Sequence, residues 1–161
     1  MKTVLLGNAG AGKSTLSRKL TEAKAAVTLS LDELAFAGGT ERRPLEDSVT
    51  EAMSFIRANE SWIIEGCYSD IIAPLLPFDE RLIFLNPGVE ACVHHCKARP
   101  WEPEKFESSE SQGSNLENLI AWVREYESRE DEYGLKRHRE LFESFQKSKV
   151  EYNHPSEYTV V

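Results

Sequence analysis

Cysteine is scarce in this chain: three residues, Cys67, Cys92 and Cys96, among 161. They are too few and too unevenly spaced for a disulfide framework, which points to a reducing compartment and a cytoplasmic location. Long apolar runs are lacking too. The opening Val4-Leu5-Leu6 is cut off by Gly7, short of the ~7 to 15 residues of a signal-peptide core, and no run nears the ~20 that cross a bilayer. Neither a leader nor a membrane partner is expected. Basic residues are in deficit: 19 Lys plus Arg against 27 Asp plus Glu leave a net charge of −8. Such a surface repels polyanions at long range and argues against nucleic acid as a partner. It still allows a phosphate-bearing small molecule, which local amides and a few cations can grip.

What is present is ordinary globular composition, 40% hydrophobic and 29% charged, in a length that suits one core. A single domain over residues 1–161, without internal repeats, is the expectation. Residues 2–6 form a short apolar run ending in glycines, as a buried parallel strand does, and Leu16, Leu20 and Ala23 then recur at helical spacing. Residues 26–31, 62–64, 81–85 and 149–152 read as further strands. Between them, Ser48-x-x-Glu51 has the form of a capping box opening a helix, and Val89, Cys92, Val93 and Cys96 make a helical stripe halted by Pro100. Residues 100–115 show no periodicity and suggest a lid, followed by a second capping box at Ser114-x-x-Glu117 and a helical face through Tyr126. After Gly134, Leu135, His138, Leu141, Phe142 and Phe145 resume the helical pattern. Strands alternating with helices imply a three-layer α/β sandwich with a parallel sheet, whose ligands bind at the carboxyl ends of the strands.

The first strand runs directly into Gly7-Asn8-Ala9-Gly10-Ala11-Gly12-Lys13-Ser14-Thr15, which meets every fixed position of G-x-x-x-x-G-K-[ST] between a strand and a helix. Glycines let the backbone curl so that successive N–H groups point inward, and the following helix adds its positive dipole end. Lys13 is placed to reach β- and γ-phosphates, Ser14 to enter the shell of a Mg²⁺ ion, and Thr15 to bond the α-phosphate. ATP with Mg²⁺ is the expected cofactor pair.

The phosphate loop, Asp32 after the second strand, Glu65-Gly66 after the third and an arginine-tipped helix before the lid together resemble the small P-loop kinases, such as adenylate and shikimate kinases. The segment Trp62-Ile63-Ile64-Glu65-Gly66-Cys67-Tyr68-Ser69 is similar to the strand-three signature of bacterial adenylate-kinase-related proteins of the topology-modulation type. The resemblance implies a five-stranded P-loop NTPase sheet of order 2-3-1-4-5, an acceptor-side segment over about residues 33–60 and a lid over about 100–115. It further implies that Asp32 orients an acceptor hydroxyl and that Glu65 holds Mg²⁺ through water, although Asp is the commoner residue at the second position. By the same likeness Arg99 covers ATP at the lid border, Arg129 guards the far border, and Arg139 or Arg137 follows on the next helix.

Each of these residues also has a plainer reading: Asp32 as a helix N-cap, Glu65 as a turn residue, the arginines as solvated side chains. Arg42 and Arg43 are candidates for an anionic acceptor or for a basic loop. His94 and His95 read as exposed polar residues, Cys92 and Cys96 as core rather than zinc ligands, and Trp62 and Trp122 as core-facing. Trp101 belongs to the lid. The function implied is transfer of the γ-phosphoryl group of ATP to a small acceptor; the alternative is a nucleotide-binding regulatory ATPase without one.

Overall fold

A computed structural model describes residues 1–36, 41–99 and 109–159, with side chains at all of these except 109–112 and 114. Five strands, β1 (Lys2–Gly7), β2 (Val27–Ser30), β3 (Trp62–Gly66), β4 (Arg81–Leu85) and β5 (Ser148–Tyr152), form one sheet of order β2-β3-β1-β4-β5. Every neighbouring pair is parallel, with Val4 opposite both Ile64 and Leu82. The expected order 2-3-1-4-5 is therefore the observed one. Helices cover both faces: α1 (Lys13–Lys24), α2 (Asp32–Ala35), α3 (Leu45–Ala58), α4 (Ser69–Ile72), α5 (Val89–Lys97), α6 (Ser109–Arg124) and α7 (Leu135–Ser144).

The central strands are apolar at nearly every position because both of their faces are buried. Val4, Leu6, Trp62, Ile64, Leu82 and Phe84 point to one face, against residues of α2, α3, α4 and α7. Leu5, Ile63, Ile83 and Leu85 point to the other, against α1, α5 and α6. Trp62 is fully buried, as its pattern predicts.

Two helix starts differ from the expectation. The Ser48-x-x-Glu51 box does not open α3: Pro44 precedes the first turn, with Glu46 and Asp47 placed favourably for the dipole, and Ser48 lies inside the helix. Its hydroxyl instead donates to the Leu34 carbonyl at 2.8 Å, while Glu51 pairs with Arg43 at 2.6 Å. The tertiary acceptor and the proline outcompete the local box. Likewise α6 begins at Ser109, so Ser114 is not its start; residues 100–108 of the expected lid, Trp101 included, lie outside the described residues. One segment was not foreseen at all. Residues 69–78 coil into α4 and a 3₁₀ turn, Ala73–Phe78, whose Ile71, Ile72 and Leu75 fill the core.

Candidate functional site

The turn from β1 into α1 needs glycine for two different reasons. Gly10 (φ 80°) and Gly12 (φ 98°) adopt left-handed conformations, and a Cβ on Gly10 would stand 2.4 Å from the Cys92 carbonyl oxygen. The loop thus lies flush against α5. Its carbonyls are engaged by the protein: Lys13 Nζ donates to Asn8 O at 2.7 Å, His95 Nδ1–H to Gly10 O at 2.6 Å, and the Tyr158 hydroxyl to Ala11 O at 2.7 Å. The Asn8 side chain ties the loop to α6 through Val123 O and accepts the Ala9 amide. By contrast, the amides of Gly10 and of Gly12 to Thr15 find no acceptor among the described residues. A row of unpaired N–H groups at a helix N-terminus, with Lys13 beside them, is an anion cradle.

The cradle forms one end of a cavity of about 1100 Å³, above the usual range for a single small ligand. Ala9, Gly10, Gly12, Lys13, Ser14, Thr15, Asp32, Glu65 and Arg99 all line it, so nine of the expected residues are brought together. Asp32 is the first residue of α2, with Leu31 at the N-cap position, and its carboxylate accepts the Tyr68 hydroxyl at 2.5 Å. It therefore caps no helix. Burial, aided by Asp32, pushes the Tyr68 phenol well above its ordinary pKa and keeps it a donor. Glu65 is a buried residue of β3 itself rather than of the turn that follows.

Arg129 is not brought into the cavity. It pairs with Glu125 at 2.9 Å and Asp131 at 3.5 Å, and its guanidinium stacks 4.4 Å from the Trp122 ring, behind the wall rather than in it. Arg139 is held by Glu151 through two hydrogen bonds at the end of β5, and Arg137 donates to the Glu130 carbonyl. The bond to Arg139 holds the Glu151 carboxyl down at about 2.

No family model matches the chain, and no curated protein matches it. Among solved structures, it is similar to a deoxyadenosine kinase from M. mycoides with bound dATP, at 13% identity and TM-score 0.50, over 95% of this chain and 91% of that one. A gluconokinase from Sinorhizobium meliloti matches at 16% identity and TM-score 0.54, over 98% and 86%. A shikimate kinase from Acinetobacter baumannii in complex with shikimate matches at 16% and 0.50, over 97% and 86%. This is the fold of the small P-loop kinases.

Within that kinase fold, several lining residues escaped the sequence reading. His95 is not a solvated residue: it faces the cradle and holds Gly10. Trp122 is only partly core, with its ring also lining the cavity. Phe36, Tyr68 and Tyr133 complete an aromatic wall with it, in edge-to-face contacts of 6.3, 5.4 and 5.3 Å between successive centroids. Tyr158 covers the other side of the cradle, 3.2 Å from where a Gly12 Cβ would stand. Beneath the wall lies His138, fully buried, whose Nε2–H donates to the Cys67 carbonyl at 2.8 Å while Nδ1 accepts the Tyr126 hydroxyl at 2.8 Å. Burial lowers its pKa to about 4, so it is neutral at pH 7.

Proposed function

We propose that the protein is an ATP- and Mg²⁺-dependent phosphotransferase acting on a small-molecule acceptor. One observation carries the reading: the cradle and the Asp32 and Glu65 carboxylates open onto a single cavity with room beyond a nucleotide's phosphates. A regulator that only bound nucleotide would have no use for the Asp32 carboxylate at the cavity's border.

The residues present fit the implied groups. The free amides of Gly10 and of Gly12 to Thr15 and the Lys13 ammonium suit a polyphosphate, and the Ser14 hydroxyl with the buried Glu65 carboxylate supplies the hard oxygen donors that Mg²⁺ takes, Glu65 through water. When bound, Mg²⁺ neutralises charge on the transferred group and its leaving oxygen. Lys13 stabilises the charge spreading over the γ-phosphoryl oxygens, and Arg99, just past α5, adds a second cation from the rim. Asp32 accepts a hydrogen bond from the acceptor hydroxyl, aligns its oxygen for in-line attack and takes its proton, as the bond from the γ-phosphorus to the bridging oxygen breaks. Tyr68, donating to the same carboxylate, fixes its orientation. Arg129, paired with Glu125 and stacked on Trp122, does not line the cavity, and this reading gives it no role.

The three solved neighbours are kinases named for different acceptors, so the fold leaves the acceptor open. The acidic surface and three buried free cysteines suit a cytoplasmic enzyme of small molecules, without nucleic acid or membrane. Among the described residues no helix is long and apolar enough to cross a membrane. Phosphorus NMR of the protein with Mg-ATP and pooled hydroxylated metabolites tests the reading. Acceptor-dependent ADP formation with a new phosphoester supports it; ADP release indifferent to every acceptor overturns it.

A further inference from the structure

The far end of the cavity carries charge and shape that restrict the acceptor. Arg42 is the only cation there among the described lining residues; Lys13 and Lys19 belong to α1, and Arg99 follows α5. Arg42 is already committed. Its guanidinium pairs with Asp70 and Glu132, each at 3.2 Å, donates to the Tyr133 hydroxyl at 2.8 Å, and lies over the Tyr68 ring at 5.0 Å and the Tyr133 ring at 5.7 Å. Two half-buried carboxylates from outside the cavity lining thus hold one arginine, and Asp32 is the acid that lines the cavity near it. Phe36 and Arg42 are joined by an antiparallel bridge.

An anionic acceptor would have to draw Arg42 away from Asp70 and Glu132, or approach the Asp32 carboxylate with that arginine already neutralised, and both are costly in a partly desolvated site. A flat uncharged ring meets no such barrier. Phe36, Tyr68, Tyr133 and Trp122 offer it ring faces and edges, and the Asp32 carboxylate awaits a hydroxyl beside them. Resting on the phosphotransferase reading above, we propose that the acceptor is an uncharged, ring-bearing alcohol of the nucleoside kind, and that Arg42 with its two carboxylates is built to reject carboxylate and phosphate-monoester acceptors. In this role Asp70 and Glu132 determine specificity by occupying the arginine.

Matched pairs test this on the unaltered protein. With the cradle saturated by Mg²⁺ and a non-hydrolysable ATP analogue, calorimetry compares adenosine with AMP, deoxyadenosine with dAMP and cytidine with CMP. The expected result is that at least one nucleoside binds tenfold or more tightly than its own monophosphate, and more tightly than shikimate or gluconate. Monophosphates or sugar acids binding as tightly as the nucleosides, or no nucleoside binding at all, overturns the proposal. The double variant Asp70→Asn, Glu132→Gln, which frees Arg42, should shift the monophosphate-to-nucleoside affinity ratio tenfold or more towards the monophosphate; an unchanged ratio in the folded variant also counts against it. Phosphorus NMR separates the two readings. Efficient transfer to an anionic acceptor leaves the phosphotransferase standing and removes this specificity, whereas hydrolysis without any phosphoester removes both.

Discussion

Acidification from pH 7 towards pH 4 is expected to withdraw about 3 kcal/mol of stability through one side chain, His138. The imidazole is fully buried beneath the aromatic wall. Nε2 faces a carbonyl and must carry the proton, so Nδ1 is the acceptor of the Tyr126 hydroxyl. A second proton would have to enter at Nδ1, break that bond and place a cation in apolar surroundings. The result is a group whose pKa falls from 6.5 unfolded to about 4 folded, with burial the main cause. Because the folded value is depressed, the stabilisation is complete above pH 6.5 and disappears as pH falls through 4. Urea unfolding at pH 7, 6, 5 and 4 for the wild type and for His138→Gln isolates the effect from the carboxylates that both proteins share. The stability difference between them should shrink by about 3 kcal/mol across that window. Parallel stability curves for the two proteins from pH 6.5 to 4 would refute the assignment of a buried neutral imidazole.

Three other outcomes follow from single sites. Gly10→Ala combines a left-handed backbone with a Cβ only 2.4 Å from the Cys92 carbonyl, so denaturant titration should show a loss of about 2 kcal/mol or more, together with weakened nucleotide binding; unchanged stability would contradict the close approach. Asp79 is fully buried, and burial pushes its carboxyl up to about 8, which means its protonated form favours folding below pH 3.8 and that contribution is lost as pH rises through 8. The melting temperature of Asp79→Asn should therefore gain on the wild type as pH is raised from 6 to 9, and a constant difference would argue against the assignment. Arg99→Ala should lower kcat by roughly 100-fold, as loss of one charge-stabilising donor does, with little change in Tm; full turnover would remove Arg99 from the site.

Much of the fold was legible because its signals are local. The nine residues Gly7 to Thr15 are contiguous, and their meaning depends only on a strand before and a helix after, both of which lie where the apolar spacing places them. Asp32 and Glu65 were legible because strand ends are, and both reach the cavity. The aromatic wall was not. Phe36, Tyr68, Trp122 and Tyr133 come from four separated stretches with no common spacing, and only the parallel topology and the unforeseen coil at residues 69–78 bring them together. Ser48 shows the opposite failure: a well-formed local pattern was overridden by Pro44 and by a buried acceptor, Leu34 O, which sequence spacing does not reveal. Arg129 stands beside the expected lid border in sequence, but its acidic neighbours Glu125 and Asp131 decide where it points.

The central claim is that backbone amides between Gly10 and Thr15, with Lys13, seat a triphosphate. Titration calorimetry with Mg-ATP on the wild type and on Lys13→Ala, both confirmed folded by circular dichroism, tests it most directly. The account predicts saturable one-to-one binding by the wild type and a loss of affinity of at least tenfold in the variant. No heat from millimolar Mg-ATP with the intact wild type, or equal affinity in the two proteins, would contradict it.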